Sequence, residues 1–136
     1  MLPLLLAVCL EIFSELLVTN KYTFMHIHKK DLIATIRLSG EEINLETANL
    51  LLKDPTLRPY HIVINLSEVE HLEEEELDAL FYLSEMFRSE TEHSFVVVSP
   101  LYDPDTFPEE LVACPTLQEA LDIIEMEEIE RDLFDD

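Results

Sequence analysis

The stretch H-L-E-E-E-E-L-D-A-L, residues 71–80, sets four consecutive carboxylates, Glu73, Glu74, Glu75 and Glu76, between hydrophobic anchors. Clustered carboxylates can serve general acid–base catalysis or bind hard cations. On a helix, however, consecutive residues fan around the axis and do not converge on one point. At a helix N-terminus they form a favourable set of charges, each contributing roughly 0.3–1 kcal/mol at most. Local chemistry therefore favours a solvated acidic helix start over a catalytic site. The other candidates are incomplete. His71 and Glu73 spell the H-x-E of zinc deaminases, but Cys114 has no second cysteine near it to supply P-C-x-x-C. His26 and His28 would share one strand face without a third metal ligand. Asp103 and Asp105 lack the glycine and distal glutamate of a calcium loop. Gly40 is the only glycine, which excludes glycine-rich phosphate-binding loops. No serine sits in a nucleophile elbow. The residues themselves thus point to no enzyme, no cofactor and no metal.

The elements that must position these residues begin near Lys21. Y-T-F-M-H-I-H (22–28) and L-I-A-T-I-R-L (32–38) read as two strands, with K-K-D between them as a hairpin turn. Ser39-Gly40 breaks the second strand. Asn44 is a fair N-cap for a short helix carrying Leu45, Ala48, Leu51 and Leu52, which Asp54-Pro55 ends. H-I-V-I-N-L (61–66) is apolar at nearly every position and reads as a buried strand. A helix over 74–88 follows, with Leu77, Leu80, Phe81 and Phe87 on one face. S-F-V-V-V-S (94–99) is a second buried strand, 100–108 a proline-rich loop, and 111–114 a last strand. Thr116-Leu117-Gln118-Glu119 fits a capping box opening a final helix, whose apolar face is expected to hold Leu117, Ala120, Leu121, Ile124 and Leu133. The order β-β-α-β-α-β-loop-β-α predicts an α/β fold with a mixed four- to five-stranded sheet covered by helices.

A chain of 136 residues fits one domain, and 48% hydrophobic content suffices for a core. The net charge of −22 repels nucleic acid and anionic membranes and favours basic partners. Cys9 and Cys114 stand far apart, so a disulfide framework is not expected and a reducing cytoplasm is the default location. The apolar run at residues 2–10 has no preceding Lys or Arg and is too short to span a bilayer. Residues 1–20 are therefore set aside as an extension, an apolar helix or a misassigned start, leaving a domain over 21–134.

I-R-L-S-G-E-E-I-N-L-E-T-A (36–48), H-I-V-I-N-L-S-E-V-E-H-L (61–72), S-F-V-V-V-S-P (94–100) and P-T-L-Q-E-A-L-D-I-I-E-M-E-E-I-E-R-D-L (115–133) together resemble the STAS domain of single-domain anti-sigma-factor antagonists. The resemblance covers about residues 21–133, and the order and spacing of the pieces carry it. It implies a non-enzymatic regulatory module whose partner is an anti-sigma factor that doubles as a kinase. In that family the strand matched by 61–66 is followed by D-S-S-G, whose second serine is phosphorylated to release the partner. Here those positions are Glu73, Glu74, Glu75 and Glu76, so no hydroxyl remains and switching at the usual site is not expected. The resemblance also assigns partner contact to the loop holding Gly40, Glu41, Glu42 and Asn44. The short helix usual before the last strand is expected to be shortened or lost in P-L-Y-D-P-D-T-F-P (100–108). A purely structural or scaffold STAS domain is the alternative, followed by a carboxylate metal-binding protein.

Overall fold

A computed structural model describes residues 26–134. The proposed extension over 1–20, Cys9 and the first part of the expected opening strand (22–25) lie outside these residues. Five strands, β1 (His26–Lys30), β2 (Ile33–Arg37), β3 (His61–Asn65), β4 (Phe95–Val98) and β5 (Ala113–Cys114), form one sheet in the order β1-β2-β3-β4-β5. β1 is antiparallel to β2, and the remaining pairs are parallel. Among the described residues three helices accompany the sheet: α1 (Leu45–Lys53), α2 (Glu74–Glu90) and α3 (Leu117–Phe134). The mixed α/β architecture and the element order read from the sequence are those observed.

Side-chain alternation decides the layers. Ala34, Ile36, Ile62, Ile64, Phe95 and Val97 point to one face, where Ala48 and Leu51 of α1 and Leu80, Leu83 and Phe87 of α2 cover them. Val63, Val96 and Val98 point to the other, against Cys114, Ala120 and Ile124. β3 and β4 are consequently buried on both sides, as expected of parallel strands between helices. Phe95 is fully enclosed, and burying such a ring contributes about 1.5–3 kcal/mol. Among the described residues, no helix is long and apolar enough to cross a membrane.

The hairpin forms, but its turn lies later than K-K-D implies. Lys29 and Lys30 pair within β1, opposite Ala34 and Ile33, leaving Asp31 and Leu32 as the two-residue turn. Asp31 has φ 56°, a left-handed conformation that an aspartate tolerates better than most residues. Lysines on an edge strand also discourage edge-to-edge pairing with another chain. Asn44 caps α1 as expected, accepting from the Thr47 N–H at 2.8 Å. In α2, Leu80 and Phe87 are buried, and Leu77 and Phe81 pack partly against the same core. The loop before β5 keeps a single 3-10 turn, Pro104–Thr106. Its Phe107 is buried and meets the Tyr102 ring edge-on at 5.7 Å.

The final helix departs from its expected face. Ala120 and Ile124 are buried, whereas Leu117 and Leu133 are exposed. Leu133 lies about half a turn around from Leu117 at helical spacing, so the two cannot share one stripe. Thr116 Oγ1 accepts from the Glu119 N–H at 3.2 Å, which supplies one half of the capping box.

Polar contacts complete the seating of α3. Arg88 of α2 reaches Glu127 at 3.3 Å and donates to the Phe95 carbonyl at 2.9 Å. Arg131 donates to Ser94 Oγ at 2.8 Å. His61, 3% exposed, accepts the Ser94 N–H on Nδ1 at 2.9 Å. That bond requires a bare Nδ1, so the ring proton sits on Nε2 and is donated to the Glu128 carboxylate. The His93 ring meets His61 edge-on at 4.9 Å. Burial, then the proximity of His61 and Arg131, lower the pKa of His93 below its ordinary value, against the opposing pull of Glu128 and Glu92.

A histidine depressed in the folded state binds its proton more weakly there than in the unfolded chain. Folding is therefore penalised as pH falls below about 6.5, the unfolded value, towards the folded pKa. The stability difference between pH 7 and pH 5.5, measured by urea unfolding, should be smaller in His93→Gln than in the original chain. Equal slopes would show that His93 carries none of the acid sensitivity.

Candidate functional site: an acidic groove at the carboxyl edge of the sheet

The parallel strands all run towards one edge, and the loops leaving β2, β3 and β4 emerge there together. In open α/β sheets this edge is the customary binding position. After β2, Ser39–Asn44 folds around a short 3-10 turn, Gly40–Glu42. Glu42 turns back on this loop, its Oε1 accepting from the Ser39 N–H at 3.0 Å and from the Ser39 hydroxyl at 2.9 Å. Asn44 ties the loop to α1, donating to the Glu41 carbonyl at 3.1 Å while capping the helix.

The second wall is the start of α2. Glu73 is its N-cap, and Glu76 reaches back to accept the Glu73 N–H at 3.0 Å. One acidic residue of the run thus satisfies a backbone donor that a helix start leaves open. Glu73, Glu74 and Glu75 are exposed, and Glu76 is half-buried. His71 approaches Glu73 at 3.4 Å in open solvent, a weak pairing even when the imidazole is charged.

Between the walls lies a groove of about 490 Å³ lined by Ile43, Asn44, Leu45, Glu75, Glu76, Asp78, Ala79 and Tyr82. Three of these are carboxylates and none is basic. Leu45 is 55% exposed, and the Tyr82 hydroxyl donates to Asn49 at 3.2 Å. The two stretches assigned to partner contact are therefore neighbours. A Cβ added at Gly40 would lie 3.9 Å from Glu76 Oε2, an ordinary contact distance. The fanning of the glutamates is visible: Glu75 and Glu76 enter the groove, and Glu73 and Glu74 do not. Leu45 of α1 also lines the groove, as do Asp78, Ala79 and Tyr82 of α2, none of which the sequence singles out as site residues. Their signal was helical spacing, since Asp78, Ala79 and Tyr82 follow Glu75 at three, four and seven residues.

The arrangement offers carboxylates over an apolar floor, which suits a cationic, partly apolar protein surface. Among the described residues, no three His, Cys, Asp or Glu side chains gather as a metal site requires. His26 and His28 stand exposed on β1. Asp103 is used locally, accepting from the Asp105 N–H at 3.0 Å. Of the hydroxyls near α2, Ser84 is 1% exposed on the helix's packed face, whereas Ser67 is half-exposed in the loop after β3.

No family model matches the chain, and no curated protein matches it. Solved structures do. The NMR structure of the protein TM1081 has 17% identity over 73% of this chain and 86% of that one, at a TM-score of 0.53. A crystal structure of TM1081, a proposed anti-sigma factor antagonist from Thermotoga maritima, has 15% identity over 77% of this chain and 97% of that one, at a TM-score of 0.55. The fold is STAS-like. The likeness at these identities is one of fold, and it spans nearly the whole of that neighbour. In the STAS-like frame the acidic groove falls at the edge where the loops after β2 and β3 converge.

Two substitutions separate local structure from surface. Glu76→Ala removes the acceptor of the Glu73 N–H and should cost about 1 kcal/mol in urea unfolding, as lost capping does. Gly40→Ala meets no close neighbour and should change stability by less than about 0.5 kcal/mol. A large loss at Gly40, or none at Glu76, would contradict this reading of the two walls.

Proposed function

We propose that this chain is a regulatory protein-binding module of the anti-sigma-factor-antagonist kind, which holds its partner in the groove between the 40–45 loop and the start of α2. The observation that carries this reading is the meeting of Asn44 and Leu45 with Glu75 and Glu76 in one open groove, beside which Gly40 lies close to Glu76. In the resembled family the second of these walls carries a serine that is phosphorylated to release the partner. Here Glu75 occupies that position, so the wall carries a carboxylate in place of the switchable hydroxyl. A carboxylate carries about one charge against the −1.5 to −2 of a phosphoserine, so any likeness to a phosphorylated state is partial. The expected partner is an anti-sigma factor or a related kinase whose contacting surface bears Lys or Arg around an apolar anchor. Domain limits of 21–134 and a non-enzymatic role belong to the same proposal.

The test is affinity purification on the full chain, in parallel with the Glu75→Lys and Leu45→Ser variants. Mass spectrometry then identifies the retained proteins. An anti-sigma-factor or kinase-like protein held by the original and reduced at least about tenfold by each variant, equivalent to about 1.4 kcal/mol, is the expected result. Equal retention by all three chains would sink the proposal. Phosphate found on Ser67 with loss of the partner would show instead that a reversible switch operates from the loop after β3.

A further inference from the structure

Helix α3 carries a second apolar line that nothing in the described chain covers. Ala120 and Ile124 face the sheet. Glu127, Glu128 and Arg131 fix the helix's rotation through Arg88, His61 and Ser94. With that rotation set, Met126, Ile129 and Leu133 point outward, 61%, 54% and 72% exposed. Their spacing of three and four residues puts them on one stripe. Single exposed apolar side chains are ordinary, but an aligned series on a rigid helix is the geometry of a helix-binding face.

The flanks of the stripe state what can lie on it. Helical spacing places Glu119 and Glu130 along one side and Glu125 and Asp132 along the other, all of them exposed. Arg131 is the only basic residue of α3, and it is turned inward to Ser94. The face is thus an apolar ridge between two rows of carboxylates with no compensating cation of its own.

We infer that the outer face of α3 docks a basic amphipathic helix from a different protein. Apolar side chains of that helix would pack on Met126, Ile129 and Leu133, with Lys or Arg on both flanks meeting the carboxylates. Charge selects this occupant. A second copy would set the same acidic rows against each other in a chain of net charge −22, and anionic lipid or nucleic acid would be repelled in the same way. Methionine in the ridge adapts to varied apolar partners. The face lies on the opposite side of the sheet from α1 and α2, so it is separate from the groove proposed above and can be occupied together with it.

The probe is a synthetic helical peptide of about 18 residues, long enough to hold a helix, with leucines on one stripe and lysines elsewhere. A scrambled peptide of equal composition serves as control. Both are titrated into the full chain and into a Met126→Ser, Ile129→Ser, Leu133→Ser variant, whose exposed changes should leave circular dichroism and urea midpoint unaltered. The patterned peptide should bind the original at least about tenfold more tightly than it binds the variant, and at least about tenfold more tightly than the scrambled peptide binds the original. Leu45→Ser, on the other face, should leave this affinity unchanged. Equal binding by original and variant overturns the inference, as does an equal loss from Leu45→Ser. Two further results also overturn it: dimers in sedimentation that the triple variant disperses, or cosedimentation with phosphatidylserine vesicles. Slow hydroxyl-radical oxidation of Met126 in the free chain at every concentration would assign the face to a segment of the same chain and refute it as well.

Discussion

The burial of β3 and β4 on both faces is the constraint from which the other features follow. Ile62, Ile64, Phe95 and Val97 need an apolar cover on one side, and Val63, Val96 and Val98 need one on the other. Parallel pairing supplies the first, because each crossover from β2 to β3 and from β3 to β4 lays a helix on the same face. The second comes from α3, which folds back beneath the sheet. Once the strands are parallel, the loops after β2 and β3 have to meet at one edge. The first turn of α2 then stands beside the 40–45 loop. The groove is therefore a consequence of core packing and not a separate construction.

Electrostatics shape what that scaffold can meet. A charge of −22 on 136 residues works against compactness through self-repulsion. The fold places part of this charge where it helps. Acidic side chains begin α2, where the helix dipole and open N–H groups favour them. The cations of the C-terminal half are spent inside: Arg88 on Glu127 and Phe95, Arg131 on Ser94. The outer surfaces of the groove and of α3 are left acidic with apolar side chains between the charges. Both surfaces are complementary to basic, partly apolar ones.

Much of the architecture was legible in the sequence because it rests on local signals. Asn44, Asp54-Pro55 and the apolar runs at β3 and β4 marked boundaries that agree with the structure to within a residue or two. K-K-D points to a turn earlier than the real one because lysines look like turn residues, whereas strand register sets Lys29 and Lys30 opposite Ala34 and Ile33. Leu133 faces outward although the apolar pattern puts it with Ala120 and Ile124, since a two-faced helix offers apolar residues at more than one angle. The seam around His61 was invisible, because Glu128 lies 67 residues away and no local pattern announces such a pair. Of the candidate site, the glutamate run was legible as a helix start. Its meeting with Gly40 and Asn44 came only from the resemblance, and Tyr82 and Asp78 entered with the structure.

The claim that binding occurs at the carboxyl edge of the sheet is tested most directly by hydrogen exchange on the full chain, alone and bound to its purified partner. Amides of the 40–45 loop and of the first two turns of α2 are expected to gain protection on binding, while those of β1 and the hairpin turn at Asp31 do not. Protection confined to the hairpin, with the 40–45 loop and the start of α2 unchanged, would contradict it.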